Sequence, residues 1–185
     1  DGEIYTVHAD GTQLANLSNH PALDLFPAWS PDGKRIAFVS DRDADWEIYV
    51  MNADGSGAER LTTNTATDYQ PIWSPDGKQI AFESKRNGVF GIFVVNADGT
   101  KETGLTTDDD GEDRWPSWSP DGTRIVYRNS QHEIAVMNAD GSAKTRLANP
   151  LGDSEFPAWS PNGELIAFVS REMGRSNGEI YIVSP

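Results

Sequence analysis

No cysteine occurs in the 185 residues, so disulfides, zinc–thiolate sites and cysteine nucleophiles are excluded. That absence leaves the compartment open, because an oxidising space permits disulfides without requiring them. No apolar run approaches the roughly 18 residues of a membrane span, and no signal peptide opens the chain. The first residue is Asp1 rather than Met, which reads as a mature or excised piece. Basic residues are scarce: 15 Lys and Arg stand against 29 Asp and Glu, a net charge of −14. Binding a phosphate backbone or an anionic membrane surface needs cationic surface, so neither partner fits. The acidic balance favours solubility and attraction to cations or basic protein surfaces. A hydrophobic share of 37% and an aromatic share of 10% suffice for one domain with a single core.

What is present is a repeat. Phe-Pro-Ala-Trp-Ser-Pro-Asp-Gly starts at Phe26, Gln-Pro-Ile-Trp-Ser-Pro-Asp-Gly at Gln70, Trp-Pro-Ser-Trp-Ser-Pro-Asp-Gly at Trp115 and Phe-Pro-Ala-Trp-Ser-Pro-Asn-Gly at Phe156. The motif tryptophans Trp29, Trp73, Trp118 and Trp159 are 44, 45 and 41 residues apart. A period of about 40–45 residues built from short strands is that of a propeller blade. Each unit reads as four strands: the Pro-x-Trp-Ser segment; an Ile-led apolar run at 36–40, 80–84, 125–128 and 166–170; a third at 47–51, 91–95, 133–137 and 179–183; and a polar fourth at 59–62, 102–106 and 145–148. Val, Ile, Phe and Tyr dominate the first three, as half-buried sheet requires, and the polar fourth suits a water-facing edge. Ser-Pro-Asp-Gly and Asn-Ala-Asp-Gly are turn chemistry, with Pro presetting φ and Gly supplying its positive value, so their Asp residues need no functional explanation. No segment sustains a helical period.

Trp-Ser-Pro-Asp-Gly, then Ile-Ala-Phe-x-Ser-x-Arg, then Glu-Ile-Tyr-Val-Met-Asn-Ala-Asp-Gly, then Arg-Leu-Thr resembles the WD40-like repeat of TolB-type β-propellers over nearly the whole chain. The resemblance implies an all-β propeller of bacterial or archaeal origin, periplasmic or otherwise extracytoplasmic, and a non-catalytic scaffold for a protein or peptide partner. It also implies an alternative, because similar propellers precede the hydrolase domain of prolyl-oligopeptidase-type peptidases. A third reading is an engineered or self-assembling propeller fragment. The third unit departs from the pattern, with Arg128-Asn129-Ser130-Gln131 in place of Ser-x-Arg, and the fourth has Asn162 where Asp is usual.

The strands divide the single domain into an incomplete blade at 1–18, full blades at 19–63, 64–107 and 108–148, and three strands of a last blade at 149–185. That is one strand more than four blades need, and the similar segments at 1–5 and 177–181 compete for one slot. A closed four-bladed ring, an arc of a larger propeller, and a homo-oligomer in which two chains complete an eight-bladed ring all remain open. Exposed arc faces would favour association.

Chemistry is sparse. His8, His20 and His132 are the only histidines, and no Gly-x-Ser-x-Gly elbow or phosphate loop occurs. Asp41, Asp43 and Asp45, and Asp108 and Asp110, are the lesser metal candidates; the first stretch lacks the sixth-position Gly and twelfth-position Glu of a calcium loop and the second also lacks the pattern, so Ca²⁺ is not the expected state. The better-ordered signal is the acid three residues before each motif proline: Asp24, Asp68 and Asp113, with Ser154 in the fourth unit and Asp153 beside it. Either these carboxylates ring a channel mouth that attracts cations or basic peptides, or they cap local turns. Trp115 stands where the other units have Phe26, Gln70 and Phe156, and with Trp46 and Phe90 it is the candidate aromatic slot.

Overall fold

Seventeen strands and no helix make up the described residues of the computed structural model, which are 2–106, 111–147, 152–172 and 177–185, the side chain of Glu172 excepted. Three antiparallel sheets have four strands each. The first is β3 (Asp24–Trp29), β4 (Arg35–Ser40), β5 (Glu47–Asn52) and β6 (Glu59–Arg60). The second is β7 (Thr67–Trp73), β8 (Gln79–Arg86), β9 (Val89–Asn96) and β10 (Thr103–Gly104). The third is β11 (Arg114–Trp118), β12 (Arg124–Arg128), β13 (Ile134–Asn138) and β14 (Thr145–Arg146). A pair, β1 (Tyr5–Thr6) and β2 (Ala15–Asn16), precedes them, and a three-stranded sheet, β15 (Gly152–Trp159), β16 (Ile166–Glu172) and β17 (Glu179–Val183), follows. We call the four larger sheets blades I to IV. Among the described residues, no strand of blade IV pairs with β1 or β2, and Trp29 of blade I and Ile180 and Ile182 of blade IV stay exposed, so the described blades form an arc without a closing contact.

The middle strands show why the blades stack. Ile36, Ala37, Phe38 and Val39 are all buried although they alternate between faces of the sheet. A strand covered on both faces has no polar side, hence the continuous apolar run. Ala37, Val39, Ile48 and Val50 of blade I pack against Trp73, Ile80, Phe82, Phe93 and Val95 of blade II, and Ala81, Ile92 and Val94 of blade II pack against Trp118, Ile125 and Tyr127 of blade III. The core therefore lies between sheets. The β1–β2 pair joins it through Ile4, buried against Ile36, Phe38, Tyr49 and Met51.

Local chemistry fixes the hairpins. In the first Ser-Pro-Asp-Gly turn, the Ser30 hydroxyl donates to Asp32 Oδ1 at 2.7 Å and accepts the Arg35 N–H at 2.9 Å. The Gly33 N–H returns to Ser30 O at 2.9 Å, with φ of 68° at Gly33. The same bonds recur around Asp76 and Asp121, and Asn162 accepts the Ser160 hydroxyl in blade IV without a carboxylate.

The motif tryptophans join blades. Trp73 Nε1 donates to Ala28 O of blade I at 3.1 Å, and Trp118 Nε1 to Ile72 O of blade II at 3.3 Å. Arg35 of blade I lies over the Trp73 ring at 4.6 Å, and Arg124 over Trp159 at 4.7 Å. Trp73 and Trp118 are 5% and 6% exposed. Trp29 is 51% exposed, because no described inner strand lies on that side of blade I. The sequence motif is therefore one residue in two environments.

This difference is testable in urea unfolding. Trp73→Ala removes a buried indole and its hydrogen bond, an expected loss of about 3–5 kcal/mol. Trp29→Ala truncates a half-exposed ring, and its expected loss is under about 1 kcal/mol. Equal losses would mean that inter-blade burial does not distinguish the two.

Candidate functional site

The inner strands β3, β7, β11 and β15 lie side by side, and each begins at the same loop face. Backbone bonds hold that face together. The N–H groups of Asp24, Asp68, Asp113 and Ser154 donate to the carbonyls of Gly2, Trp46, Phe90 and His132 at 2.8–2.9 Å, each acceptor lying near the start of the third strand of the preceding unit. The acids lie at or within the start of the inner strands. Asp24 is in register with Ser40, Asp68 with Ser84 and Ser154 with Ser170.

Their carboxylates do not form an exposed ring. Asp24, Asp68 and Asp113 are buried. Asp24 receives Arg42 Nη2 on both oxygens, at 3.0 and 3.1 Å, while Arg42 Nε donates to Ser40 Oγ at 2.9 Å. That is the structural work of the Ser-x-Arg element. In blade II, Asn64 Nδ2 donates to Asp68 at 2.9 Å, and Arg86 instead donates to Ser84 Oγ at 3.1 Å and pairs with Glu102. Burial pushes the Asp68 carboxyl above its ordinary range, against hydrogen bonds from Ser84, Asn64 and Thr62. Nearby Glu47 is also buried, with Thr62 and Arg60 donating to it. Desolvation dominates there, and with the added charge of Asp68 it pushes Glu47 up to about 7. These carboxylates are spent on internal contacts beneath the loop face.

What faces outward is aromatic. Phe26, Gln70, Trp115 and Phe156, the residues before the motif prolines, all have positive φ, at 52°, 51°, 55° and 53°. The pairing register shifts across each of them, a bulge that re-aims the side chain. Bulky residues seldom adopt this conformation, so each blade holds local strain at the same point. Phe26 and Phe156 are exposed, while Trp46, Tyr69, Phe90 and Trp115 are half-buried. Tyr69 joins three of them, with ring centroids 6.1 Å from Phe26, 5.6 Å from Trp46 and 6.2 Å from Phe90. Trp115 and Phe156 lie 4.5 Å apart.

Cations lie over these rings. Arg114 is 4.1 Å from the Phe90 centroid and 5.6 Å from Trp115, Lys85 is 5.4 Å from Phe90, and Arg128 is 5.2 Å from Trp115. Buried Glu83 anchors the arrangement, accepting from Arg114 Nε at 2.9 Å and from the Trp115 N–H at 2.6 Å. Asp153 is half-buried, with Oδ1 2.7 Å from His132 Nδ1. The motif alignment had flagged Trp115 alone at the bulge position; Phe26 and Phe156 were hidden by being the repeat's ordinary residues. Tyr69 and Arg114 carried no signal beyond their place beside that position.

The lesser metal candidates are otherwise engaged or apart. Asp41 Oδ1 accepts the Leu23 N–H at 2.8 Å, Asp43 accepts the Tyr49 hydroxyl, and Asp45 is exposed. Asp108 and Asp110 lie outside the described residues. Among the described residues, no three His, Asp or Glu side chains gather as a metal site.

Comparison with known proteins places this geometry. The family model described as the TolB beta propeller domain matches residues 1–163. A TolB homolog of Chlorobium luteolum is 45% identical over 42 residues, which are 23% of this chain and 10% of that protein. The chain thus matches only a small part of that relative. The structure of a putative TolB from Agrobacterium tumefaciens superposes with a TM-score of 0.86 at 26% identity, covering 99% of this chain and 70% of that one. A puromycin hydrolase structure shares the fold at 17% identity and a TM-score of 0.76, with 95% of this chain and 29% of that one covered.

The buried acids predict a pH dependence. Folded Glu47 holds its proton up to about 7, against an ordinary value of 4.5. Its contribution to stability is therefore complete below about 4.5 and is lost as pH rises through about 7. Urea unfolding at pH 5 and pH 8 is expected to differ by on the order of 2–3 kcal/mol from this group. Glu47→Gln is expected to remove that share of the slope, leaving a remainder of the same sign from Asp68 and Glu83, whose values are also raised. An unchanged slope in the variant would reject this account.

Proposed function

The chain belongs to the TolB β-propeller family, and from that premise we propose that it is a non-catalytic interaction module whose loop face binds a protein or peptide partner. The observation that carries the reading is the aromatic rim: Phe26, Tyr69, Trp46, Phe90, Trp115 and Phe156 at 4.5–6.2 Å ring spacings, with Phe26, Trp115 and Phe156 on the strained and repeated bulge. Large rings held outward in this way supply contact area with few rotors to freeze, which is why aromatic residues dominate binding hot spots. Beneath the rim, Asp24, Asp68 and Asp113 hold the inner strands; Trp115 and Asp153 are the members of the predicted set that reach a partner. An extracytoplasmic location belongs to the same proposal and rests on the family. The likeness to puromycin hydrolase carries the fold alone, and the non-catalytic reading also rests on the lack of a nucleophile elbow in these residues.

A displayed random peptide library tests the reading. Binders are expected whose affinity falls at least tenfold on Trp115→Ala or Phe26→Ala, a loss of about 1.4 kcal/mol. The same binders should be indifferent to Lys34→Ala, an exposed change in the Ser-Pro-Asp-Gly turn at the opposite end of the blade. Binders that ignore the rim substitutions would overturn it.

A second reading, association of copies, is favoured by the exposed Trp29 on blade I and Ile180 and Ile182 on blade IV. These occupy positions that are buried between blades elsewhere in the molecule. Light scattering should then show a concentration-dependent mass above 20.3 kDa, and a constant single-chain mass would reject it.

A further inference from the structure

One blade junction at the rim differs from its neighbours. Val39, Glu83, Arg128 and Val169 hold the same place, the residue after the second-strand aromatic Phe38, Phe82, Tyr127 or Phe168. That place faces the inner strand of the following blade. Between blades I and II it is apolar, with Val39 in the shared core. Between II and III it is a matched ionic contact, Glu83 with Arg114 Nε and the Trp115 N–H. Between III and IV the residue is Arg128, and the position equivalent to Arg114 is Glu155, so the repeat offers the same pair with its charges exchanged.

That pair is not made. Arg171 holds Glu155 instead, Nη2 at 2.9 Å and Nη1 at 3.2 Å. Arg128 is 6% exposed, and its Nε is buried with no hydrogen-bond partner among the described residues. The carboxylate within ion-pair range is Asp153, at 3.8 Å from Nε, which is beyond hydrogen-bonding distance. Asp153 Oδ1 faces His132 Nδ1 at 2.7 Å. The other charged groups around the junction are Arg114, bound to Glu83 and 3.7 Å from Glu112, and Glu155 with Arg171. A buried Nε–H of a charged group left without an acceptor is costly, by more than a neutral donor would be. It lies against the Trp115 ring, beside Phe156, in the rim itself.

Resting on the rim as the binding face, we propose that the junction of blades III and IV receives a carboxylate of the partner, with Arg128 as its donor and the Trp115–Phe156 pair as the platform for the adjoining apolar group. The planar fork of Arg128 matches a carboxylate, and the Trp115 ring backs it at 5.2 Å. The carboxylate is supplied either by an Asp or Glu side chain or by a chain terminus. The partner chemistry is thus acidic at this point, although the chain as a whole carries −14.

The test has two arms. The first needs no ligand. A structural arginine is destabilising to remove, whereas Arg128→Gln discards a buried Nε–H that has no acceptor, so its melting temperature is expected to be unchanged or higher; a fall of several degrees would overturn the proposal. The second arm uses rim-dependent peptides from the displayed library, resynthesised with free and with amidated C-termini and with each acid changed to its amide. Neutralising one carboxylate is expected to weaken binding to the native chain at least tenfold and to Arg128→Gln less than twofold. Arg128→Lys should keep part of the difference. A response to amidation identifies a chain terminus, and a response to Asp→Asn or Glu→Gln identifies a side chain. Rim-dependent peptides indifferent to every neutralisation, or to Arg128→Gln, overturn the carboxylate and leave the rim standing. A library without rim-dependent peptides removes both.

Discussion

Everything in this molecule depends on each sheet being covered on both faces by its neighbours. A blade alone would expose two apolar surfaces, since Ile36 to Val39 point to both sides and all four are buried. At roughly 25 cal/mol per Å² of apolar surface, that mutual coverage is the main stabilising term. It is non-directional, so it does not set how one blade meets the next. Two polar contacts do. The motif indole donates to the preceding inner strand, as Trp73 does to Ala28 O, and the acid-position N–H donates to the preceding loop, as Asp68 does to Trp46 O. One acts at each end of the inner strand, and together they fix the register of the stack.

The same constraint explains what could be read from the sequence and what could not. Four Trp-Ser-Pro-x-Gly copies declare four inner hairpins, because Pro and Gly act locally and their effect does not depend on neighbours. The period of apolar runs declares the sheets for a similar reason. The polar fourth strands were legible only as polar stretches: β6, β10 and β14 span two residues each, shorter than the sequence pattern predicts, because an edge has one partner to hold it. The acids were misleading in a specific way. Asp24, Asp68 and Asp113 recur with the motif, and recurrence was compatible with either a displayed ring or internal wiring. What separates the two is the bulge two residues later, a positive φ at Phe26, Gln70, Trp115 and Phe156, which no residue type there announces. Pairing of the strand before the bulge turns the carboxylate toward Ser40 or Ser84, while the bulge turns the next side chain out.

Net charge was informative about the whole surface and not about this face. The overall −14 includes turn carboxylates such as Asp32, Asp54, Asp98 and Asp140, which accept local hydrogen bonds and are held below their ordinary range by them. They belong to hairpin ends and are spread along the chain by the repeat. At the rim the aromatic faces draw cations instead, and a ring quadrupole stabilises Arg114 and Lys85 where their own backbone would not. Sign at a site follows from which groups the fold turns outward, and the fold turns Asp24, Asp68 and Asp113 inward.

Repetition separates the parts of the molecule that must be constant from those that are free to differ. The acid-position N–H serves every junction, the indole donor of Trp73 and Trp118 serves two of them, and altering one would break a contact that the adjoining blade requires. The place occupied by Val39, Glu83 and Arg128 carries no such obligation: an apolar contact, a hydrogen-bonded ion pair and an arginine whose Nε–H has no acceptor all leave the backbone bonds of the junction in place. A position that tolerates three chemistries in one chain is free to take the one that a partner requires. That freedom, on strands held rigid by the constant contacts, lets nearly identical blades present a face that is different at each junction.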